Sequence, residues 1–222
     1  MRRVTAFLIC LALLCALPAR ARAAQKRIAL TFDDGPNGKV TQRILDLLKE
    51  QDVPATFFVC GEQAERYPEL LQRMAQEGHE IGLHSYCHCY MDSMEEAEIL
   101  DDFASCLCAV SEACGVRPKL FRPPGGRYSE TLVKCAGQEK LSVVLWSIDT
   151  LDWNRRENGR SLSRILQQAA DGQIILMHDL LRPSCEIAEK AVAQLKSDGY
   201  EFCTVSELLG APEAGRVYFA AA

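Results

Sequence analysis

Long hydrophobic runs are scarce in this 222-residue chain, and so are the compositional excesses that mark non-globular proteins. Gly (14 residues) and Pro (9 residues) are too few for a collagen-like or low-complexity chain. A mean hydropathy of -0.06 excludes a multi-span membrane protein. Internal repeats and linkers are absent. There is no surplus of positive charge either: 25 basic against 30 acidic residues give a formal net of -5, which argues against a nucleic-acid partner. What is present, 48% hydrophobic and 25% charged residues, suffices for one sizeable core, so a single globular domain is expected.

Only the N-terminus departs from this composition. Arg2 and Arg3 precede an apolar run from Ala6 to Leu17, and Ala21 and Ala23 follow as an A-x-A pattern. Residues 1–23 therefore read as a secretory signal peptide, the run being shorter than the ~20 residues that a membrane span needs. Bulky Ile9 and Leu14 before Cys10 and Cys15 disfavour a lipoprotein processing site. Without the four arginines of this leader the balance is 21 basic to 30 acidic, a formal net of -9. Nine cysteines remain after it, and in an oxidising compartment disulfides among them persist; an odd number leaves at least one thiol free or paired between chains.

Short apolar runs alternate with segments of helical spacing. Strands are expected at Arg27 to Phe32, Ala55 to Val59, Glu80 to Leu83, Lys119 to Phe121, Ser142 to Ser147, Gln173 to Met177 and Tyr200 to Cys203. Helices fit between them, including one from Glu95 to Ala113 and one from Pro183 to Asp198. About seven strands in βα alternation predict a parallel sheet with helices outside it, open or closed into a barrel. Residues 24–209 form the expected domain, and 210–222 read as a flexible tail.

Residues able to do chemistry fall just after these strands, on the face where βα folds place their sites. Asp33 and Asp34 stand together before Gly35 and Pro36, so two carboxylates leave a sharp turn in different directions. Alone, this is an ordinary D-G turn. His84 and His88, four apart in H-S-Y-C-H, would share a face if that turn were helical, and with one carboxylate would make a divalent-metal site; a hydrogen-bonded structural pair is the alternative. Cys87 and Cys89 could compete as thiolate ligands. His79 reads as structural.

T-F-D-D-G-P at Thr31 to Pro36, H-S-Y-C-H at His84 to His88, F-R-P-P-G-G at Phe121 to Gly126, D-T-L-D-W at Asp149 to Trp153 and L-M-H at Leu176 to His178 follow in this order. Together they resemble the five motifs of the polysaccharide deacetylase family, the carbohydrate esterases that include chitin and peptidoglycan N-acetylglucosamine deacetylases. The resemblance covers residues 27 to 209 and implies a distorted (β/α) barrel. It makes Asp34, His84 and His88 the ligands of one divalent metal ion, Zn²⁺ or Co²⁺, and Asp33 the general base. His178 becomes the acid that protonates the departing amine, with Asp152 holding it and Arg122 positioning Asp33. The N–H of Gly125 would face the oxyanion, and Trp153 and Leu176 would wall a pocket for the acetyl methyl group. Two positions depart from the pattern: Gly125 and Gly126 stand where an aromatic often follows, and Leu83 where an Asn is common.

The resemblance implies a secreted or cell-envelope, monomeric enzyme acting on an N-acetylated glycan of peptidoglycan or chitin type, with neither nucleic acid nor a stable membrane span involved. The alternatives are an O-acetyl esterase, a catalytically silent glycan-binding domain of the same fold, and an iron oxygenase built on two histidines and a carboxylate.

Overall fold

The structure is a computed structural model that describes residues 25–221. The signal peptide expected over residues 1–23 lies outside them. β1 (Lys26–Asp33) is the axis of the fold. It pairs in parallel with β7 (Gln173–His178) on one side, and on the other with β2 (Thr56–Val59) at its C-terminal end and β8 (Tyr200–Phe202) at its start. The sheet continues through β3 (Glu80–Leu83), β4 (Leu120–Phe121) and β5 (Ser142–Val144), all parallel. The seven expected strands are present. Two more, each of two residues, were beyond reach of the sequence pattern: β6 (Ile148–Asp149) beside β7 and β9 (Val217–Tyr218) beside β5.

The expectation of a loose tail from Gly210 is corrected by β9. Backbone N–H groups of Val143 and Leu145 donate to the carbonyls of Arg216 and Tyr218, and Ala221 N–H donates to Gly172. The unpaired edge of β5 is thereby satisfied, and the C-terminal segment reaches across to the start of β7, where Ala220 bridges Gln173.

Helices cover the outside, as strand-helix alternation requires. They include α1 (Gly38–Gln51), α2 (Gly61–Arg66), α3 (Pro68–Gln76), α4 (Glu96–Cys114), α5 (Glu130–Gln138), α6 (Ser161–Gln168), α7 (Arg182–Ser197) and α8 (Val205–Leu209). Strand parity then splits the core in two. Ile28, Leu30 and Phe32 of β1 face the helices in the larger cluster; Ala29 joins Phe58, Leu120, Val144 and Ile174 in a smaller inner one. Thr31 and Asp33 share the parity of Ala29, so β1 delivers a carboxylate to the inner face at its C-terminal end. No described helix is long and apolar enough to cross a membrane. All nine cysteines among the described residues are free thiols.

Candidate active site

Asp33 ends β1, and its buried carboxylate is fixed from below. Arg122, one residue past β4, has no exposed surface. Its Nη1 donates to Asp33 Oδ1 and to Thr31 Oγ1, both at 2.7 Å, while Nε and Nη2 donate to the carbonyls of Val144 and Leu145 at 3.1 and 2.8 Å. The guanidinium lies 4.0 Å from the ring centroid of Phe58. A buried cation held this way cannot swing away from Asp33.

Asp34 follows at φ 76, in the left-handed region, which turns its carboxylate away from that of Asp33. Its Oδ1 is 3.1 Å from His84 Nε2 and 3.2 Å from His88 Nε2. These three side chains present ligand atoms within 4.8 Å of one another. The turn from His84 to His88 is not helical. Ser85 and His88 both take positive φ, 61 and 58, and Ser85 Oγ accepts from the N–H of Cys89, so a tight loop brings the two imidazoles together. Cys87 and Cys89 contact each other and stand outside this ligand group.

The donor set fits a divalent cation. Nδ1 of His84 is 2.7 Å from the carbonyl of Arg122, which can only accept, so neutral His84 carries its proton there and turns the Nε2 lone pair toward Asp34. Asp34 Oδ1 is buried without a hydrogen-bond partner. Burial alone would raise the pKa of Asp34, yet positive charge on the flanking imidazoles outweighs it and holds the carboxyl well below its ordinary range; a cation seated between neutral imidazoles would exert the same pull. A buried anionic oxygen and imidazole nitrogens converging on one point are ligand chemistry for a divalent metal ion.

On the other flank, His178 ends β7 and is held by Asp152. Nδ1 of His178 donates to Asp152 Oδ1 at 2.8 Å and its backbone N–H to Oδ2 at 3.0 Å. Thr150 and Ser184 hydroxyls donate to the same carboxylate at 3.1 and 2.6 Å, so fully buried Asp152 has both oxygens occupied. Burial pulls the His178 pKa down, but Asp152, with smaller effects of Asp33 and Asp34, more than reverses this and raises it to about 9. The imidazole is thus a cation at neutral pH. Asp33, Asp34, His84, His88, His178, Gly125, Trp153 and Leu176 all line one cavity of about 500 Å³.

Comparison with known proteins decides the relationship. Residues 20–144 match the family model described as polysaccharide deacetylase. The chain belongs to the polysaccharide deacetylase family. It is 41% identical over 184 residues to the peptidoglycan-N-acetylmuramic acid deacetylase PdaC of Bacillus subtilis, a match covering 83% of this chain and 39% of PdaC. The chain therefore spans about two fifths of the length of that relative. Among solved structures, a T48 deacetylase with substrate superposes with a TM-score of 0.82 at 37% identity, covering 87% of this chain and 96% of that one. A family 4 acetyl xylan esterase from Clostridium thermocellum, in complex with a cobalt ion, gives a TM-score of 0.82 at 34% identity, covering 88% and 98%. The parallel sheet curled into a distorted (β/α) barrel is the fold of this deacetylase family.

Several residues at the site, inside the motifs or beyond them, were given no role by the sequence. Thr31, Thr150 and Ser184 hold charged partners by hydroxyls whose role depends on burial. Asp179, next to His178, is fully buried: burial pushes its pKa up to about 7, Thr41 Oγ1 donates to its Oδ2 at 2.5 Å, and its Oδ1 has no partner. A Cβ on Gly35 would come 2.0 Å from Asp179 Oδ2, so the glycine of the D-D-G-P turn makes room for this carboxyl. Tyr90, Trp146 and Arg155 also line the cavity. His79 is structural in part: the N–H of Ala55 donates to its Nδ1, while its Nε2 is buried without a partner and burial lowers its pKa to about 4.

Proposed function

We propose that this chain is a secreted, metal-dependent N-deacetylase of N-acetylated glycans, acting on peptidoglycan or chitin-type oligosaccharides as a monomer in the cell envelope or outside it. The observation that carries this reading is the arrangement of a carboxylate locked by Arg122, Asp33, and an imidazole held by Asp152, His178, around the Asp34, His84 and His88 cluster in one cavity. Residues 24–209 form the catalytic domain in this reading, and the leader directs export.

Asp34, His84 and His88 would hold the cation. A divalent ion held there would supply Lewis acidity toward the amide carbonyl and would lower the pKa of the attacking water from 15.7 to about 7. Asp33, fixed by Arg122, accepts the proton of the water that attacks the acetamide carbon. The oxyanion that develops faces the backbone N–H of Gly125. His178 gives its proton to the nitrogen as the C–N bond breaks, releasing acetate and a free amine. Asp152 keeps His178 charged and oriented for that transfer. Trp153, half exposed, and buried Leu176 bound the space for the acetyl methyl group.

An O-acetyl esterase is the second reading, favoured by the likeness to the acetyl xylan esterase. The two differ at the leaving group, because an amine must be protonated to depart and an alkoxide needs this less. His178→Ala should therefore cost amide hydrolysis about 10²-fold to 10⁴-fold and ester hydrolysis much less. Equal losses on matched amide and ester substrates would contradict the N-deacetylase assignment.

A further inference from the structure

The rim of the cavity carries a feature that the hydrolytic groups do not use. Tyr90, two residues beyond His88, is 54% exposed although its neighbour Met91 is fully buried. The ring is not loose. It stands against Gly125, where an added Cβ would come 2.9 Å from Tyr90 Cε1, and Gly125 itself takes φ +63. Arg127 lies 5.0 Å from the ring centroid, anchored by Nε and Nη2 donating to Asp92 Oδ2 at 3.1 and 2.8 Å. The His88 ring meets it edge-on with centroids 6.3 Å apart. Trp153, 50% exposed, lines the same cavity. Tyr90 comes from the loop after β3 and Trp153 from the loop after β6, strands on either side of β1 in the sheet order.

A large aromatic left half in water yet held by a backbone, a guanidinium and an imidazole is preorganised for a ligand with an apolar face. The C–H face of a pyranose is such a partner: flat, weakly positive at its hydrogens, and complementary to the negative face of a phenol ring. We propose that Tyr90 is a specificity-determining residue, the platform on which a sugar ring of the acetylated chain stacks, with Trp153 bounding the groove from the far side of β1. This rests on the glycan reading above. Gly125 is then small for two reasons, leaving its N–H open to the cavity and leaving space for the ring of Tyr90.

The test compares wild type with Tyr90→Ala, Tyr90→Leu and Tyr90→Phe on an N-acetylglucosamine tetramer and on a small acetyl ester without a sugar. Tyr90→Ala and Tyr90→Leu are expected to raise KM for the tetramer about fivefold to tenfold with a smaller change in kcat, while Tyr90→Phe stays near wild type. Calorimetric titration of the tetramer into the same variants combined with Asp33→Asn should give the same ranking without turnover. An unchanged tetramer KM in Tyr90→Ala overturns the platform and leaves the deacetylase reading intact. So does a loss of equal size on the ester, or a Tyr90→Leu variant that binds like wild type, since bulk rather than stacking would then be at work. Absence of acetate release from any glycan by the wild-type protein overturns both.

Discussion

Arg122 and His178 carry charges for opposite reasons. Arg122 is sealed in the barrel with four hydrogen bonds, and removing it would leave Asp33 a buried, unpaired anion. Arg122→Ala is expected to destabilise the fold by about 3–5 kcal/mol, read as a shift in the urea midpoint. Arg122→Lys should lose activity as well, since an ammonium cannot span Asp33 and the two carbonyls at once. His178 is charged because Asp152 overcomes burial. Its folded pKa of about 9 lies above the ordinary value of 6.5, so its stabilising contribution is complete below pH 6.5 and fades as pH rises through 9. Asp152→Asn should accordingly destabilise the protein most at pH 6 and least above pH 9, and should move the alkaline limb of the kcat profile toward neutrality. A stability gap between wild type and variant that stays constant from pH 6 to 10 would contradict this.

At the scale of elements, the site depends on strand parity and on turns that only particular backbones allow. β1 sends Thr31 and Asp33 inward, and Gly35 lets the following turn close over Asp179. Gly35→Ala is expected to cost about 1–3 kcal/mol of stability and most of the acetate release, measured by thermal melting alongside the activity assay. Normal melting and turnover would show that Asp179 can move aside. Much of this was legible in the sequence. Apolar runs located the seven main strands, and the ordered motifs named Asp33, Asp34, His84, His88, Arg122, Asp152 and His178, which the structure gathers at one end of the barrel. Other features were not legible, for physical reasons. β6 and β9 have two residues each, too few to show alternation. A helical turn from His84 to His88 was a fair reading of an i, i+4 pair, but positive φ at Ser85 and His88 leaves no trace in residue type. Gly125 and Gly126 read as the loss of an aromatic, whereas the rings of Tyr90 and Trp146, distant along the chain, stand against them.

Over the whole molecule, the curled sheet is extended past β5 by the C-terminal segment of the chain. Because β9 satisfies the edge of β5 and Ala220 reaches Gln173, deletion of residues 211–222 should lower the melting temperature and expose an aggregating edge, as followed by light scattering. A truncated chain that melts with the full-length protein would assign those contacts no energetic role. The acidic balance of the chain suits a neutral or mixed-charge glycan better than a polyanion. The central claim is that three ligands hold one cation while Asp33 and His178 work beside it. It is tested most directly by acetate release from purified peptidoglycan and from chitin oligomers, with chelator and then with added Zn²⁺ or Co²⁺, for wild type and Asp33→Asn. Release that chelator abolishes and metal restores in the wild type, and that is absent in Asp33→Asn, is the predicted result; release indifferent to chelator, or near-normal turnover by Asp33→Asn, would contradict it.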